Sequence, residues 1–241
     1  MPDYVDPGWR ASVVAGAVTV ERGPADWLDT WQQADRARLA DVAAVLAGEA
    51  VPTGPALARL VVAAVGTGQV LCLGNSNPIR DADLAPVASV HVPVFANRGL
   101  SGIDGTLSTA IGVALATGAP TTLLVGDLAF FHDAGALAIG PGEPRPDLRV
   151  VVADDAGGSI FATLEYSQPR FADAFERVFA TPTGLDPVAV AAGYGVPARR
   201  LTSLAETASA LAVPVAGLEV IVVGIDRSGR AEQSRRIATG H

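Results

Sequence analysis

The sequence predicts an α/β protein, a three-layer α/β/α arrangement around a mostly parallel central sheet, and three observations carry that reading. Strand-like and helix-like segments alternate across residues 68–225, the order that builds a parallel sheet with crossover helices. Two short runs, Thr121 to Val125 and Leu148 to Ala153, have almost no polar alternation, as expected of strands covered on both faces. Each run ends in acidic residues, Gly126-Asp127 after the first and Asp154-Asp155-Ala156-Gly157-Gly158 after the second, and open α/β sheets bind ligands at such strand ends. Composition agrees with a packed core, since 49% of the 241 residues are apolar and 17% charged. A net charge of −8 argues against a nucleic-acid backbone as partner. The single Cys72 excludes an intrachain disulfide framework. No signal peptide and no long uninterrupted apolar run is found, so a soluble cytoplasmic protein without a transmembrane segment is the expectation.

Taken in order, residues 1–22 read as a loop and an apolar strand, Ser12 to Val20, without a local partner. Two readings stand open: a short edge strand of the same domain, or, in a polypeptide that begins further upstream, an interdomain strand or the end of a middle domain. Residues 23–66 read as a helical linker, with helices from Ala25 to Leu46 and, capped by Thr53 with Pro55 in its first turn, to about Val65. The main domain then spans 67–241. Its first strand, Gln69 to Leu73, ends at Gly74-Asn75-Ser76. Ser76 is no hydrolase nucleophile elbow, because Pro78 stands where that turn needs glycine. A helix from Pro78 to Leu84 places Arg80 about one turn beyond Ser76, on the same rim.

A second strand, Val90 to Phe95, leads into a turn holding Arg98, Gly99, Ser101, Gly102, Ile103 and Gly105. Its glycines let the backbone approach a ligand, and the helix Thr106 to Thr117 presents its positive end there. Beyond the central runs come helices Phe171 to Phe179 and Asp186 to Ala192, a brief strand Val196 to Ala198, a helix Ser203 to Leu211 and a last strand Leu218 to Ile225. The tail Arg227 to Thr239 is helical, and its Arg227, Arg230, Arg235 and Arg236 read as solvated surface.

Asp127 and Asp155 brought to one rim would repel unless a cation lay between them. With only oxygen donors on offer, that cation is Mg²⁺ before Ca²⁺, and an ion held by so few protein ligands carries phosphate as well. Gly126-Asp127, followed 28 residues after the aspartate by Asp155 and then Gly157, resembles the Mg²⁺ and thiamine-diphosphate motif. Two positions depart from it: Leu128 replaces the final glycine, and Asp154-Asp155 replaces an asparagine pair. Within that superfamily the strings NRGLSGIDGTLSTAIGVALA, VGDLAFFHD and GGSIF are similar to the MenD family, the 2-succinyl-5-enolpyruvyl-6-hydroxy-3-cyclohexene-1-carboxylate synthases of menaquinone biosynthesis. Leu128 is what that family commonly has.

The resemblance implies a thiamine-diphosphate-binding fold, here its diphosphate-binding domain, with thiamine diphosphate and Mg²⁺ as cofactors and Mn²⁺ as a substitute ion. It implies Asp127, Asp155 and the Gly157 carbonyl as metal ligands. It places Ser101, Gly102, Gly126, Leu128 and Gly158 at the cofactor, with Ile103 as the apolar wedge that keeps it bent. Arg80 and Arg98 would meet substrate carboxylates, beside Ser76 and an apolar wall of Ile160, Phe161 and Leu164. The implied reaction decarboxylates 2-oxoglutarate and adds the succinyl unit to isochorismate, in a homodimer or homotetramer. The essential glutamate belongs to an N-terminal pyrimidine-binding domain that this sequence lacks, so residues 1–241 alone are expected to be inactive. The other readings are a different thiamine-diphosphate decarboxylase or acetolactate-type synthase, and a non-catalytic binding or assembly module.

Overall fold

The apolar runs become the strands β1 (Val70–Leu73), β2 (Val94–Ala96), β3 (Thr121–Gly126), β4 (Leu148–Asp154), β5 (Ala198–Leu201) and β6 (Leu218–Gly224). They form one sheet of order β2-β1-β3-β4-β6-β5, and every neighbouring pair is parallel. The structure is a computed structural model that describes residues 23–49, 51–87 and 91–239; the expected strand Ser12 to Val20 lies outside these. Contacts divide the chain into two units, Met1–Arg38 and Leu39–His241.

The helices are α1 (Trp27–Ala47), α2 (Gly54–Ala64), α3 (Asn77–Leu84), α4 (Thr106–Thr117), α5 (Asp127–His132), α6 (Ala172–Phe175), α7 (Pro187–Gly193), α8 (Leu204–Leu211) and α9 (Arg230–Thr239). Among the described residues, none of them is long and apolar enough to cross a membrane. Alternate strand residues face opposite sides of the sheet. Leu123, Val125, Val150, Val152, Val220 and Val222 therefore pack on one face against α4, α5 and α7. Leu124, Val151, Ile221 and Val223 pack on the other against α2 and α8. Both faces of β3 and β4 are thus dry, which explains their unbroken apolar runs. In the first unit, Trp27 and Trp31 are exposed on α1 with ring centroids 6.0 Å apart.

Four boundaries differ from the sequence reading, each for a tertiary reason. Val196 belongs to a turn, not a strand, because its N–H donates to the Ala191 carbonyl at 3.1 Å and its side chain enters the core. β2 is an edge strand with a single partner and extends only over Val94–Ala96; residue 90 lies outside the described residues. The helix expected over Phe171 to Phe179 breaks into a 3₁₀ turn at Pro169–Phe171, the short α6 and a π turn at Glu176–Ala180. The π turn brings the Ala180 carbonyl to the Gly158 N–H at 2.7 Å, tying that segment to the end of β4. The tail begins its helix at Arg230, and Arg230 is not solvated surface: it is buried and paired with the buried Asp81 of α3.

A second buried ion pair locks the sheet away from its acidic rim. Arg149 of β4 stands in register with Glu219 of β6 and bonds it at 2.7 Å, while its Nη1 donates to the Leu211 carbonyl at 3.3 Å. Arg149 is 2% exposed, so removing Glu219 would strand a desolvated charge and removing Arg149 would strand a carboxylate. Glu219 keeps a second cation, Arg199 at 3.5 Å, which softens the latter loss. Arg149→Ala is expected to cost about 3 kcal/mol, the lower end for a broken buried pair, in urea denaturation; an unchanged midpoint would show that the pair does not stabilise the sheet.

Candidate functional site

The chain leaves β1 to build β2 on one side and returns to β3 on the other, so the crevice at the C-terminal ends of β1 and β3 is the topological switch point of the sheet. A cleft of about 350 Å³ opens there. The end of β1 contributes Asn75 and Ser76, α3 contributes Arg80, and the glycine turn contributes Ser101 and Ile103. The ends of β3 and β4 contribute Gly126, Asp127, Leu128, Asp155, Gly157 and Gly158, and the following turn adds Ile160 and Phe161.

Register explains how the two carboxylates meet. Gly126 pairs with Ala153 across β3 and β4, so Asp127 and Asp155 leave neighbouring strands almost level. Asp127 is 3% exposed, and its Oδ1 accepts the Leu128 N–H at 2.8 Å. Burial first, then the Asp155 charge, pushes its carboxyl up to about 7, against hydrogen bonds from the backbone of Leu128 and Gly157. Burial also raises Asp155 to about 6, opposed by the Ser159 hydroxyl and by Arg227 and Arg230. A relay holds Asp155 in place: Asn77 Nδ2 donates to Ser159 Oγ at 2.7 Å, and Ser159 Oγ donates to Asp155 Oδ2. The other oxygen, Asp155 Oδ1, is buried with no hydrogen-bond partner. Asp154 turns away to Arg200 at 2.7 Å, so one member of the acidic pair lines the cleft.

The backbone is unusual at this rim. Gly157 has φ +132°, and a Cβ there would lie 2.4 Å from the Ala180 carbonyl oxygen; only glycine fits. Its own carbonyl accepts the Ser159 N–H at 3.1 Å, which leaves it a second lone pair. Ser76, Ser101 and Ala156 also adopt positive φ, strain that in non-glycine residues clusters at binding sites.

Some expected residues stand elsewhere. Arg98 is absent from the cleft lining; its Nη1 donates to Asn75 Oδ1 at 3.0 Å, and Asn75 Nδ2 donates in turn to the Gly102 carbonyl at 2.6 Å. Arg98 and Gly102 thus brace Asn75, which lines the cleft and is 2% exposed. Leu164 lies on the exposed side of its turn. Phe161 is held by rings rather than by Leu164: Phe179 and Tyr166 lie 5.8 Å and 6.3 Å from it. The positive end of α4, offered to a phosphate by the sequence, is partly taken by Asp133, whose Oδ2 accepts the Ser108 N–H at 2.7 Å. Sequence reasoning passed over Asn75, Asn77 and Ser159, although the first two flank Ser76 and the third lies inside GGSIF. Among the described residues no three His, Cys, Asp or Glu side chains gather as a metal cluster, so a metal here would draw on two carboxylates and on backbone or ligand oxygen.

Residues 88–224 match the family model described as thiamine pyrophosphate enzyme, C-terminal TPP binding domain. The chain belongs to this family. Within it, the sequence is similar to 2-succinyl-5-enolpyruvyl-6-hydroxy-3-cyclohexene-1-carboxylate synthases. It is 46% identical to that of Paenarthrobacter aurescens over 222 residues, covering 90% of this chain and 39% of the relative. It is 47% identical to that of Nocardia farcinica over 217 residues, covering 90% and 40%. The chain therefore spans about two-fifths of the length of these curated relatives. A solved benzoylformate decarboxylase from Polynucleobacter necessarius shares the fold, with a TM-score of 0.59 at 21% identity over 72% of this chain and 33% of that one.

The raised carboxyls set a pH dependence. Each holds its proton more tightly folded than unfolded, so this contribution to stability is complete below the unfolded value of about 4. It is lost as pH rises through about 6 for Asp155 and about 7 for Asp127. In EDTA, Asp127→Asn should therefore melt increasingly above the parent chain as pH rises from about 4 to about 7. A pH-independent difference in thermal melts would mean that the carboxylates are solvated and do not sense each other.

Proposed function

We propose that this chain is the diphosphate- and Mg²⁺-holding part of a cytoplasmic synthase that decarboxylates 2-oxoglutarate on thiamine diphosphate and adds the succinyl unit to isochorismate. The observation that carries the cofactor reading is the pair of carboxylates on adjacent strand ends, Asp127 buried and Asp155 half-buried, with Asp155 Oδ1 left without a partner. Two desolvated anions and an orphaned oxygen are stabilised together by one hard cation. Asp127, Asp155 and the Gly157 carbonyl would hold Mg²⁺. Ser101, Gly126, Leu128 and Gly158 would meet the diphosphate, Gly102 would act only through Asn75, and Ile103, at the cleft wall, would support the bent cofactor. Bound there, the cofactor supplies a carbon nucleophile and a sink for the electrons released as CO₂ leaves.

This chain's own residues bind and orient the acids. Arg80 lines the cleft and spends one N–H on the Ser76 carbonyl at 3.0 Å, which leaves donors for a substrate carboxylate. Arg98 acts on the same region through Asn75. Ile160 and Phe161 form an apolar wall that excludes water beside the reacting carbon. The likeness to the synthases, at 46% and 47% identity, supports the substrate pair. The essential glutamate would come from an N-terminal pyrimidine-binding domain, in a homodimer or homotetramer.

Calorimetry of residues 1–241 with thiamine diphosphate and MgCl₂ should show binding that EDTA abolishes, and Mn²⁺ should replace Mg²⁺. Asp127→Ala should weaken it by on the order of 100-fold or more, since loss of a ligand exceeds the 10–100-fold cost of an outer partner; equal binding with and without EDTA would refute the metal assignment. Activity is a separate question. The full-length protein should turn over 2-oxoglutarate with isochorismate while residues 1–241 alone do not, and turnover with pyruvate only would overturn the substrate assignment.

A further inference from the structure

Behind the cleft lies a second, smaller chamber of about 20 Å³, larger than the ~10–15 Å³ that one water needs. Asn77, Gly126, Asp155 and Ser159 wall both spaces. The far side of the chamber is Asp81, Arg227 and Arg230. Arg230 is 7% exposed, its Nη2 is bonded to Asp81 Oδ1, and its Nε is buried with no partner. Arg227 is tied to Glu176 at 2.8 Å, and its Nη1 is likewise buried without a partner. The close fit is built into the backbone: a Cβ at Gly54 would lie 2.2 Å from Asp81 Oδ2 and 2.9 Å from Arg230 Nη1. Arg227 and Arg230, each with an orphaned buried N–H, and Asp155, with an orphaned buried oxygen, all border the chamber, two donors and an acceptor that one water molecule can serve together.

We infer that this chamber is a built solvent site holding one ordered water, and that Arg230 is through it a positioning residue for Asp155. The positioning part rests on the reading of Asp155 as a metal ligand. Ligating carboxylates are oriented by their outer hydrogen-bond partners. Ser159 holds one oxygen of Asp155 from the cleft side, and the chamber water braces the same group from behind. Through Asp81 the arrangement also reaches α3, which carries Asn77 and Arg80.

A high-resolution crystal structure of residues 1–241 should show one water within hydrogen-bond distance of Arg230 Nε; a dry chamber, or an Arg230 side chain displaced from Asp81, would overturn the inference. Arg230→Lys keeps the charge but lacks Nε. At equal folded fraction it should bind Mn²⁺ with inorganic pyrophosphate, read by electron paramagnetic resonance, about tenfold more weakly than the parent. Parent-like Mn²⁺ affinity in that variant would reduce Arg230 to a purely structural role and refute the positioning claim. If the parent itself binds no Mn²⁺, the metal reading fails, and the crystallographic water alone then decides the solvent site.

Discussion

Two carboxylates brought to one rim, Asp127 buried and Asp155 half-buried, are the constraint on which the rest of this structure turns. The pairing of Gly126 with Ala153 across β3 and β4 delivers Asp127 and Asp155 to the same rim, where burial raises both and the Asp155 charge raises Asp127 further. A slip of one residue between these strands would carry one carboxylate to the other face of the sheet and its apolar neighbours into solvent. The dry packing of Leu123, Val125, Val150 and Val152 on one face and Leu124 and Val151 on the other therefore sets the geometry of the acidic pair as well as the stability of the core.

The surroundings of the pair resist both its repulsion and its desolvation. Asn77 and Ser159 reach Asp155 from the cleft side, and Arg227 and Arg230 lie behind it. The segment after β4 is folded back by the bond from Gly158 to Ala180 and filled by stacked rings, Tyr166 on Phe179 at 4.4 Å. That segment also carries Phe161, so the apolar wall and the acidic rim are built on one connected stretch of chain. Nearer the opposite end of β4, Arg149 and Glu219 fix β4 against β6. Charge is thus drawn out of water at both ends of one strand, paired with Glu219 within the chain at one and set beside a second carboxylate at the other.

Family membership follows from the match over residues 88–224, and the geometry gives it a physical content. A parallel sheet with its switch point between β1 and β3 leaves one crevice into which several strand ends converge. Ser76 and Ser101, at positive φ, and Asp155, with an unmet hydrogen bond, lie in that crevice, while Thr181, Glu49, Thr53, Arg227, Arg230 and Gln233 carry the same kinds of cost outside its lining.

The amino-acid order by itself determined what is local. Unbroken apolar runs marked β3 and β4, and the acids that follow them marked the binding rim. Helix α4, expected over about 106–117, spans Thr106–Thr117 in the structure, where Gly105 and Gly118, both at positive φ, bound it. Partners distant in sequence were decided only by tertiary structure. Arg98 reaches Asn75 across 23 positions, Asn77 reaches Ser159 across 82, and Arg230 reaches Asp81 across 149. Asp154 and Asp155 are identical in chemistry and adjacent in sequence, yet one meets Arg200 and the other lines the cleft, because successive residues leave a strand toward opposite sides and the order of strands in the sheet, which no local pattern encodes, sets what waits on each side.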